Sequence, residues 1–270
     1  WDALRAEERE RGATLYILVR DANGQLVRQI PAKSGSGLHQ TAWDLRLPAP
    51  DPVSIKASGS RPYWAGDPAG PLVLPGLYSA SLALERDGMI TMVGEPQSFT
   101  VKALDNSVEI TDDRRALQDF QVKVAALQRA VKGAVRSMSE LDNRVAHLRA
   151  ALPVTLGSSD EDLDAVGQLE ARLADLEVTL RGDRTRSTRN EPSPVSIASR
   201  VSSIYGTVVF SQSRVGGNFK DSYAIAATEF AGALSALRSI AQDLSDLEAV
   251  LEEKGAPWTP GRIPTWSSAQ

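Results

Sequence analysis

The sequence contains no cysteine and few histidines, and this excludes several kinds of chemistry. None of its 270 residues is a cysteine, so disulfides, thiolate catalysis and thiolate metal sites are excluded. The two histidines, His39 and His147, are too few for a histidine-rich metal site. No apolar run reaches the roughly 20 residues that a membrane-spanning helix needs. Since the sequence also has no glycine-rich phosphate loop, it predicts no cofactor.

The chain also lacks the excess of basic residues that is typical of nucleic-acid-binding proteins and the pattern of a signal peptide. Its net charge is −4, from 34 acidic and 30 basic residues. This argues against nucleic-acid binding, which needs a basic surface. The charged stretch that begins at Trp1 has no signal-peptide pattern, and we expect the chain to be part of something longer. At about 150 residues per domain, the length predicts about two domains.

The first hundred residues have the apolar spacing of strands. Short alternating runs predict strands over residues 14–20, 25–30, 38–47, 77–86, 89–93 and 97–103. Asn23-Gly24 and Asp87-Gly88 are typical of hairpin turns. The Pro/Gly/Ser-rich segment 48–71 predicts a long loop. About six short strands without a helix between them predict an antiparallel β-sandwich.

After residue 106 the apolar spacing becomes that of helices. Apolar side chains recur every three or four residues from 117 to 152, which predicts one long helix that ends before Pro153. Three further helices are predicted downstream, each with its own apolar stripe. Four such helices joined by short connections predict an antiparallel bundle. The long seam alone does not distinguish packing within one chain from packing between chains, because both bury the same positions.

Together these patterns predict a multidomain β plus α protein. The predicted order is a leading helix or linker, a sandwich, a linker, a four-helix bundle and an extended tail, over residues 1–12, 13–104, 105–111, 112–254 and 255–270 respectively. The tail contains prolines and two tryptophans, so we expect it to lie extended against a surface rather than to fold alone.

Catalytic and metal-binding patterns are weak throughout the sequence. Acidic residues collect at predicted helix starts, where they complement the helix dipole, and we interpret them as caps rather than catalysts. A basic loop contains Arg181, Arg184, Arg186 and Arg189, which could bind a phosphate or a carboxylate, although such loops are more often simply solvated.

Aromatic residues outside regular elements are the other binding candidates. Tyr63 and Trp64 lie in the long loop, and Trp258 and Trp266 lie in the tail. Aromatics in such places anchor interfaces or stack on sugars. For the tail we favour docking onto the chain itself or a neighbouring domain over ligand binding. Trp43 alternates correctly with its neighbours to belong to the sandwich core.

Two segments carry a resemblance to a known family. Residues 37–46 (GLHQTAWDLR) followed by 71–78 (PLVLPGLY) resemble the Ig-like module after the propeller in bacterial sortilin-like, neuraminidase-repeat proteins, often labelled glycosyl hydrolases. A similar Trp-Asp and Pro-Gly-x-Tyr rhythm occurs in Ig-like modules of flagellar hook-cap type. In the propeller proteins a helical region and a tail with proline and tryptophan follow, as in residues 255–264 (GAPWTPGRIP). The resemblance implies an Ig-like sandwich and export from a bacterial cell.

The propeller itself is not in this sequence, so no activity assigned to it is carried over to these residues. We expect a non-catalytic accessory region, either a scaffold or a protein-interaction region, whose partner is the propeller of a larger secreted, periplasmic or cell-surface protein. A binding module for a glycan or cell-wall polymer, using Tyr63, Trp64 and the basic loop, is the first alternative. Self-assembly as a homo-oligomer through an open Ig edge or the helical seam is the second.

Overall fold

The computed structural model describes residues 1–53, 55, 68–104 and 113–266. Within these ranges the protein is mixed β plus α, with an antiparallel sheet followed by helices. It divides into two compact units. The first comprises residues 1–50, 68–104, 113–125 and 209–214, and the second comprises 51–53, 55, 126–208 and 215–266. No helix in the described ranges is long and apolar enough to cross a membrane.

The sheet of the first unit has four antiparallel strands in the order β2-β1-β3-β4. They are β1 (Thr14–Asp21), β2 (Leu26–Ala32), β3 (Gly76–Arg86) and β4 (Met89–Val101). Both predicted hairpins are confirmed. The Asp21 carboxylate accepts hydrogen bonds from the backbone N–H of Asn23 and Gln25, each at 2.9 Å. In the β3–β4 turn, Asp87 and Gly88 have φ of 50° and 77°, as a type I′ turn requires.

The predicted strand over residues 38–47 is wrong. Within the described residues its pairing is limited to an isolated bridge between Arg46 and Leu72, around which Leu45 and Leu47 exchange backbone hydrogen bonds with residues 70–73. The Asp44 carboxylate accepts a hydrogen bond from the backbone N–H of Arg46, and Leu45 has φ of 56°, so the backbone turns here. Trp43 spans this turn by donating its indole N–H to the Arg46 carbonyl at 3.1 Å. The side-chain hydrogen bonds of Asp44 and Trp43 to the backbone of Arg46 favour this turn over an extended strand.

The predicted strands over 89–93 and 97–103 form one strand, β4, with an irregularity in the middle. Ala80 pairs with Gln97 and Leu82 pairs with Val93, so several β4 residues lie opposite Ser81 alone. Gly94 has φ of 73° in this stretch, a conformation that glycine adopts at little cost.

The helices are α1 (Asp2–Arg9), α2 (Arg114–Ala151), α3 (Asp160–Arg181), α4 (Arg184–Ser187), α5 (Ile197–Val208) and α6 (Gly217–Glu253). The predicted long helix is confirmed as α2, which is followed by a short 3-10 turn that contains Pro153. A capping box of Ser159 and Asp162 starts α3. Gly182, at φ of 100°, follows the end of α3. Helix α1 buries none of its residues.

One apolar core in the second unit receives side chains from α2, α3, α5 and α6. The predicted apolar stripes supply it, because their spacing of three and four residues places them on one face of each helix. Burial of each such side chain contributes about 1.5–3 kcal/mol. Its fully buried members are Val131, Val145, Leu148, Val166, Leu180, Ile197, Val201, Ile240, Leu244 and Leu251.

Candidate functional site

Tyr63 and Trp64 lie outside the described residues. The aromatic cluster that the structure describes is formed by Trp43, Tyr78 and Phe99, with ring centroids 5.8–6.3 Å apart. The Tyr78 hydroxyl donates to the Leu74 carbonyl at 2.7 Å, and burial is the main cause that raises the pKa of this phenol, with the charge of Asp21 second. Tyr78 is buried in this cluster, and Trp43 and Phe99 are half-buried, so the three rings pack mainly on one another.

The predicted basic loop is organised by an acidic residue. Asp183 caps α4 by accepting the backbone N–H of Thr185 and Arg186 at 2.9 and 3.1 Å. Arg186 also interacts with the Asp183 carboxylate at 3.5 Å and donates to the Pro192 carbonyl. Arg184 and Arg189 are exposed. Of the four predicted arginines, Arg181 and Arg184 line one cavity, while Arg186 holds the loop and Arg189 does not line that cavity.

The tail lies on α6, but its tryptophans do not anchor it by burial. Trp258 and Trp266 are 60% and 87% exposed. The side chain of Arg262 is instead only 7% exposed, and it donates to the Glu248 and Pro257 carbonyls at 3.1 and 2.9 Å. Arg262 is thus the anchor that the sequence reasoning missed. A single cation within a proline-rich tail was the available signal.

A second contact holds the tail through Glu252. Its carboxylate accepts hydrogen bonds from the backbone N–H and the hydroxyl of Thr265 at 3.0 and 2.9 Å, and these bonds are the main cause of a lowered pKa. Arg262 adds an ion pair at 3.2 Å. A carboxylate that is stabilised in its charged form in this way is a poor proton donor.

The other paired charges join helices in the same manner. Asp162 accepts two hydrogen bonds from the Lys254 ammonium at 2.7 Å, and this contact is the first cause that lowers the pKa of the Asp162 carboxyl. Arg149 and Glu170 form a comparable pair, whose hydrogen bond raises the pKa of Arg149. These contacts favour the charged forms of Asp162 and Arg149, whereas general acid–base catalysis needs a pKa moved toward neutrality. Within the described ranges no group of three or more His, Asp or Glu is placed to hold a metal ion.

A largely apolar cavity of about 380 Å³ lies in the first unit. Residues 72–75, residues 101–104 and the start of α2 line it. The amide of Gln118 donates to the Leu72 carbonyl at 2.8 Å, and the amide of Gln121 donates to the Ser211 carbonyl at 3.0 Å. These two amide groups therefore bond to the protein's own backbone. Lys102 and Arg114 are the cations among its lining residues.

A second cavity, of about 390 Å³, lies in the helical unit and is lined by charged and polar side chains. Gln128, Lys132 and Arg136 follow one another at intervals of four residues along α2, so they share one face of that helix. Arg181 comes from the end of α3, and Ser202 comes from α5. We call this the α2 cation cavity. Of its members only Arg181 was predicted as a candidate for anion binding, because the others come from distant parts of the chain, namely α2, α5 and residues 51–52.

Residues 51–53 contact two of the cations in this cavity. The Lys132 ammonium forms an ion pair with the Asp51 carboxylate at 2.5 Å. The Arg136 guanidinium donates to the Val53 carbonyl at 2.7 Å. Arg181 has a looser ion pair with Glu177 on its own helix, at 3.5 Å.

Gln128 is the unusual member of the α2 cation cavity. It is 3% exposed, and its amide nitrogen donates to the Ser202 hydroxyl at 3.3 Å. Its amide oxygen, Oε1, has no hydrogen-bond partner among the described residues. A buried acceptor left unpaired costs about 1–3 kcal/mol, so such atoms are rare and call for an explanation.

The outermost strand of the sheet also presents an uncovered surface. Among the described residues β4 pairs with β3 alone. Met89, Ile90, Met92 and Val93 in its first half are 43–73% exposed. An unpaired edge that carries exposed apolar side chains is a template for pairing with another strand.

Comparison of the chain with protein-family models, with curated proteins and with solved structures finds no match.

Proposed function

We propose that this chain is a non-catalytic accessory region that serves as a scaffold and protein-interaction region of a larger exported propeller protein. The observation that carries the proposal is the free edge of β4 with its exposed apolar side chains. Strand addition at such an edge gives affinity through main-chain hydrogen bonds and specificity through alternate side chains.

The fold proposed for this role is an Ig-like sandwich followed by an antiparallel four-helix bundle and an extended tail. The contact of the Tyr78 hydroxyl with the Leu74 carbonyl supports the first part, since a tyrosine that bonds back to upstream backbone is a hallmark of such sandwiches. The apolar core shared by α2, α3, α5 and α6 supports the second part.

The use made of the charged groups supports a non-catalytic role. Asp162 and Glu252 have lowered pKa values because lysine and threonine donors stabilise their charged forms. Both carboxylates hold structure together, Asp162 through Lys254 and Glu252 through the tail.

The partner proposed for the β4 edge is the propeller region of the same protein. This proposal rests on the resemblance of residues 37–46 and 71–78 to the Ig-like module of the propeller proteins. A secreted, periplasmic or cell-surface location in a bacterium is proposed on the same resemblance.

The test measures binding of the purified chain to the separately produced propeller region by isothermal titration calorimetry. The variant carries Ile90→Lys and Met92→Lys, because charge on an edge strand opposes pairing. Leu26→Lys on β2 is the matched control, since Leu26 is 49% exposed on the opposite edge strand. We expect saturable binding that the double variant weakens by about tenfold or more and that the control retains.

Other outcomes contradict the proposal. If the wild-type chain does not bind the propeller region, or if the double variant binds as well as wild type, the β4 edge is not the interaction surface. A dimer of the chain that the double variant dissociates assigns the edge to self-assembly instead. Hydrolysis of glycosides by the isolated chain, abolished by one carboxylate substitution, overturns the non-catalytic role.

A further inference from the structure

The α2 cation cavity has the composition of a small-molecule site, and this goes beyond the accessory role proposed above. We infer that it binds a small anion that also carries hydroxyl groups, namely a sugar with a carboxylate or a phosphate group. The inference rests on the cations, the unpaired amide oxygen of Gln128 and the cavity volume, each described for residues of the helical unit.

Charge is the first argument. Among the described residues the cavity is lined by three cations, Lys132, Arg136 and Arg181, and one carboxylate, that of Asp51. Asp51 pairs with Lys132 and Glu177 pairs with Arg181, so Arg136 is the cation whose described partner is a neutral carbonyl, and one positive charge is left over in a chain whose net charge is −4. Arginine presents a fork of N–H donors that matches the two oxygens of a carboxylate or a phosphate.

The existing contacts show where an anion fits. Asp51 already places a carboxylate oxygen on Lys132, and Val53 places a carbonyl oxygen on Arg136. The oxygen atoms of residues 51–53 thus occupy the positions near these cations that the oxygen atoms of a ligand would take. The anionic group of the ligand therefore competes with Asp51 for Lys132, while Arg136 and Arg181 supply further donors.

Gln128 is the second and independent argument. Its amide bonds to Ser202 through one end, and the other end has no partner among the described residues. A hydroxyl both donates and accepts, so Ser202 could bond to either end of the amide, and turning the amide over would leave its nitrogen unpaired instead. A sugar hydroxyl, which likewise donates and accepts, satisfies the leftover atom in both orientations. Inorganic phosphate also carries an O–H group, but on the same small ion as its charge, whereas a sugar places hydroxyls several atoms away from its anionic group and can therefore contact a cation and the Gln128 amide together.

The volume of the cavity and its apolar lining residues indicate what the rest of the ligand is. About 390 Å³ lies near the lower end of the range for small-molecule pockets and suits one sugar ring rather than a chain. Val131, Val135 and Ala198 supply apolar wall for the C–H face of a ring.

The first experiment titrates the chain with glucuronate, glucose 6-phosphate, glucose and inorganic phosphate by calorimetry. We expect saturable binding of at least one anionic sugar, and no binding of glucose. Binding of glucuronate alone identifies the carboxylate as the anionic group, and binding of glucose 6-phosphate alone identifies the phosphate. Inorganic phosphate should bind more weakly than the anionic sugar. Absence of saturable binding, or equal binding of glucose, overturns the inference.

The second experiment uses variants of the cavity. Arg136→Gln should weaken binding of the anionic sugar by about tenfold or more, because a charged hydrogen bond is lost. Arg129→Gln is the matched control, since Arg129 is exposed on α2 and does not line the cavity. Gln128→Leu should lower the affinity for the anionic sugar to that for inorganic phosphate.

A gain in affinity separates ligand binding from damage to the fold. Asp51→Asn removes the carboxylate that competes for Lys132, so it should strengthen binding of the anionic sugar several-fold. A misfolded variant cannot produce this increase. If Asp51→Asn leaves the affinity unchanged or lowers it, or if Arg136→Gln binds as well as Arg129→Gln, the ligand does not use these cations.

Discussion

Arg144 on α2 and Glu248 on α6 form a two-pronged ion pair in the helical unit. The guanidinium donates to both carboxylate oxygens, at 3.0 and 2.5 Å, and Glu248 is 3% exposed. Truncating Glu248→Ala would leave the mostly buried Arg144 without its counter-ion. We expect the free energy of unfolding to fall by about 3 kcal/mol, measured by urea denaturation.

Glu253→Ala is the control for this prediction. Glu253 is exposed at the end of the same helix, where a negative charge is unfavourable, so its loss should change stability by less than about 0.5 kcal/mol. Equal losses for the two variants would contradict the structural role assigned to the ion pair.

The pair of Asp162 and Lys254 predicts a dependence of stability on acid. Hydrogen bonding to Lys254 holds the pKa of Asp162 below its ordinary 3.8. The stabilisation is therefore fully present above that value and is lost as pH falls through the lowered pKa. Asp162→Asn should be less stable at pH 7 and lose less stability on acidification, which melting curves from about pH 5 to 2 would measure.

Asp164→Asn tests whether this dependence is specific. Asp164 is exposed two residues further along α3. Its substitution should leave the acid profile close to that of wild type, and a profile as flat as that of Asp162→Asn would contradict the assignment to one ion pair.

The hydrogen bonds of Arg262 lead us to predict that this residue holds the tail on α6. Its buried guanidinium bonds to α6 and to the tail itself, so Arg262→Gln should release residues 255–266 while the helical core stays folded. Limited proteolysis should cut the tail of the variant at least about tenfold faster, because cleavage follows the population of the open form. Arg238→Gln, at an exposed position on α6, should leave the cleavage rate unchanged.

From the raised pKa of the Tyr78 phenol we predict that the protein loses stability at alkaline pH. Its hydroxyl donates to Leu74, so Tyr78→Phe should lower stability by about 1 kcal/mol at pH 7. Burial raises the pKa of this phenol, and the stabilisation present below its ordinary value of 10.0 is therefore lost as pH rises through the raised pKa. Denaturant unfolding across alkaline pH should show this loss in wild type and not in Tyr78→Phe.

Tyr16→Phe on β1 provides the comparison for Tyr78. The Tyr16 hydroxyl makes no hydrogen bond within the described ranges. We expect its removal to leave the stability and its alkaline profile nearly unchanged, and an equal effect of the two substitutions would contradict the role of the Leu74 contact.

The long helices and the hairpins could be predicted because their signals are local and repeated. An apolar residue at every third or fourth position from 117 to 152 allows one backbone geometry, and α2 ends within a residue of the predicted stop. The strand predicted over residues 38–47 was wrong because the deciding signals there are single contacts. The alternation of these residues suits a strand, but Asp44 bonds to the backbone of Arg46 and Leu45 takes a positive φ. Neither feature produces a repeating pattern in the sequence.

The α2 cation cavity could not be predicted from the sequence, because it depends on residues far apart in the chain. Gln128 meets Ser202 across 74 positions, and Lys132 meets Asp51 across 81. Each of these side chains alone looks like an ordinary helix surface or seam position. Only the packing of the helices leaves the amide oxygen of Gln128 buried without a partner among the described residues.

The irregularity at the centre of β4 limits what the free edge can do. Gly94 bends the strand at φ of 73°, and Pro96 has no N–H with which to continue a ladder. An added strand therefore finds regular backbone in two separate stretches, residues 89–93 and 97–101, each about 17 Å long at the usual rise. Such short pairing surfaces favour a partner that binds reversibly. They also disfavour repeated strand addition, by which a sheet grows into a fibre.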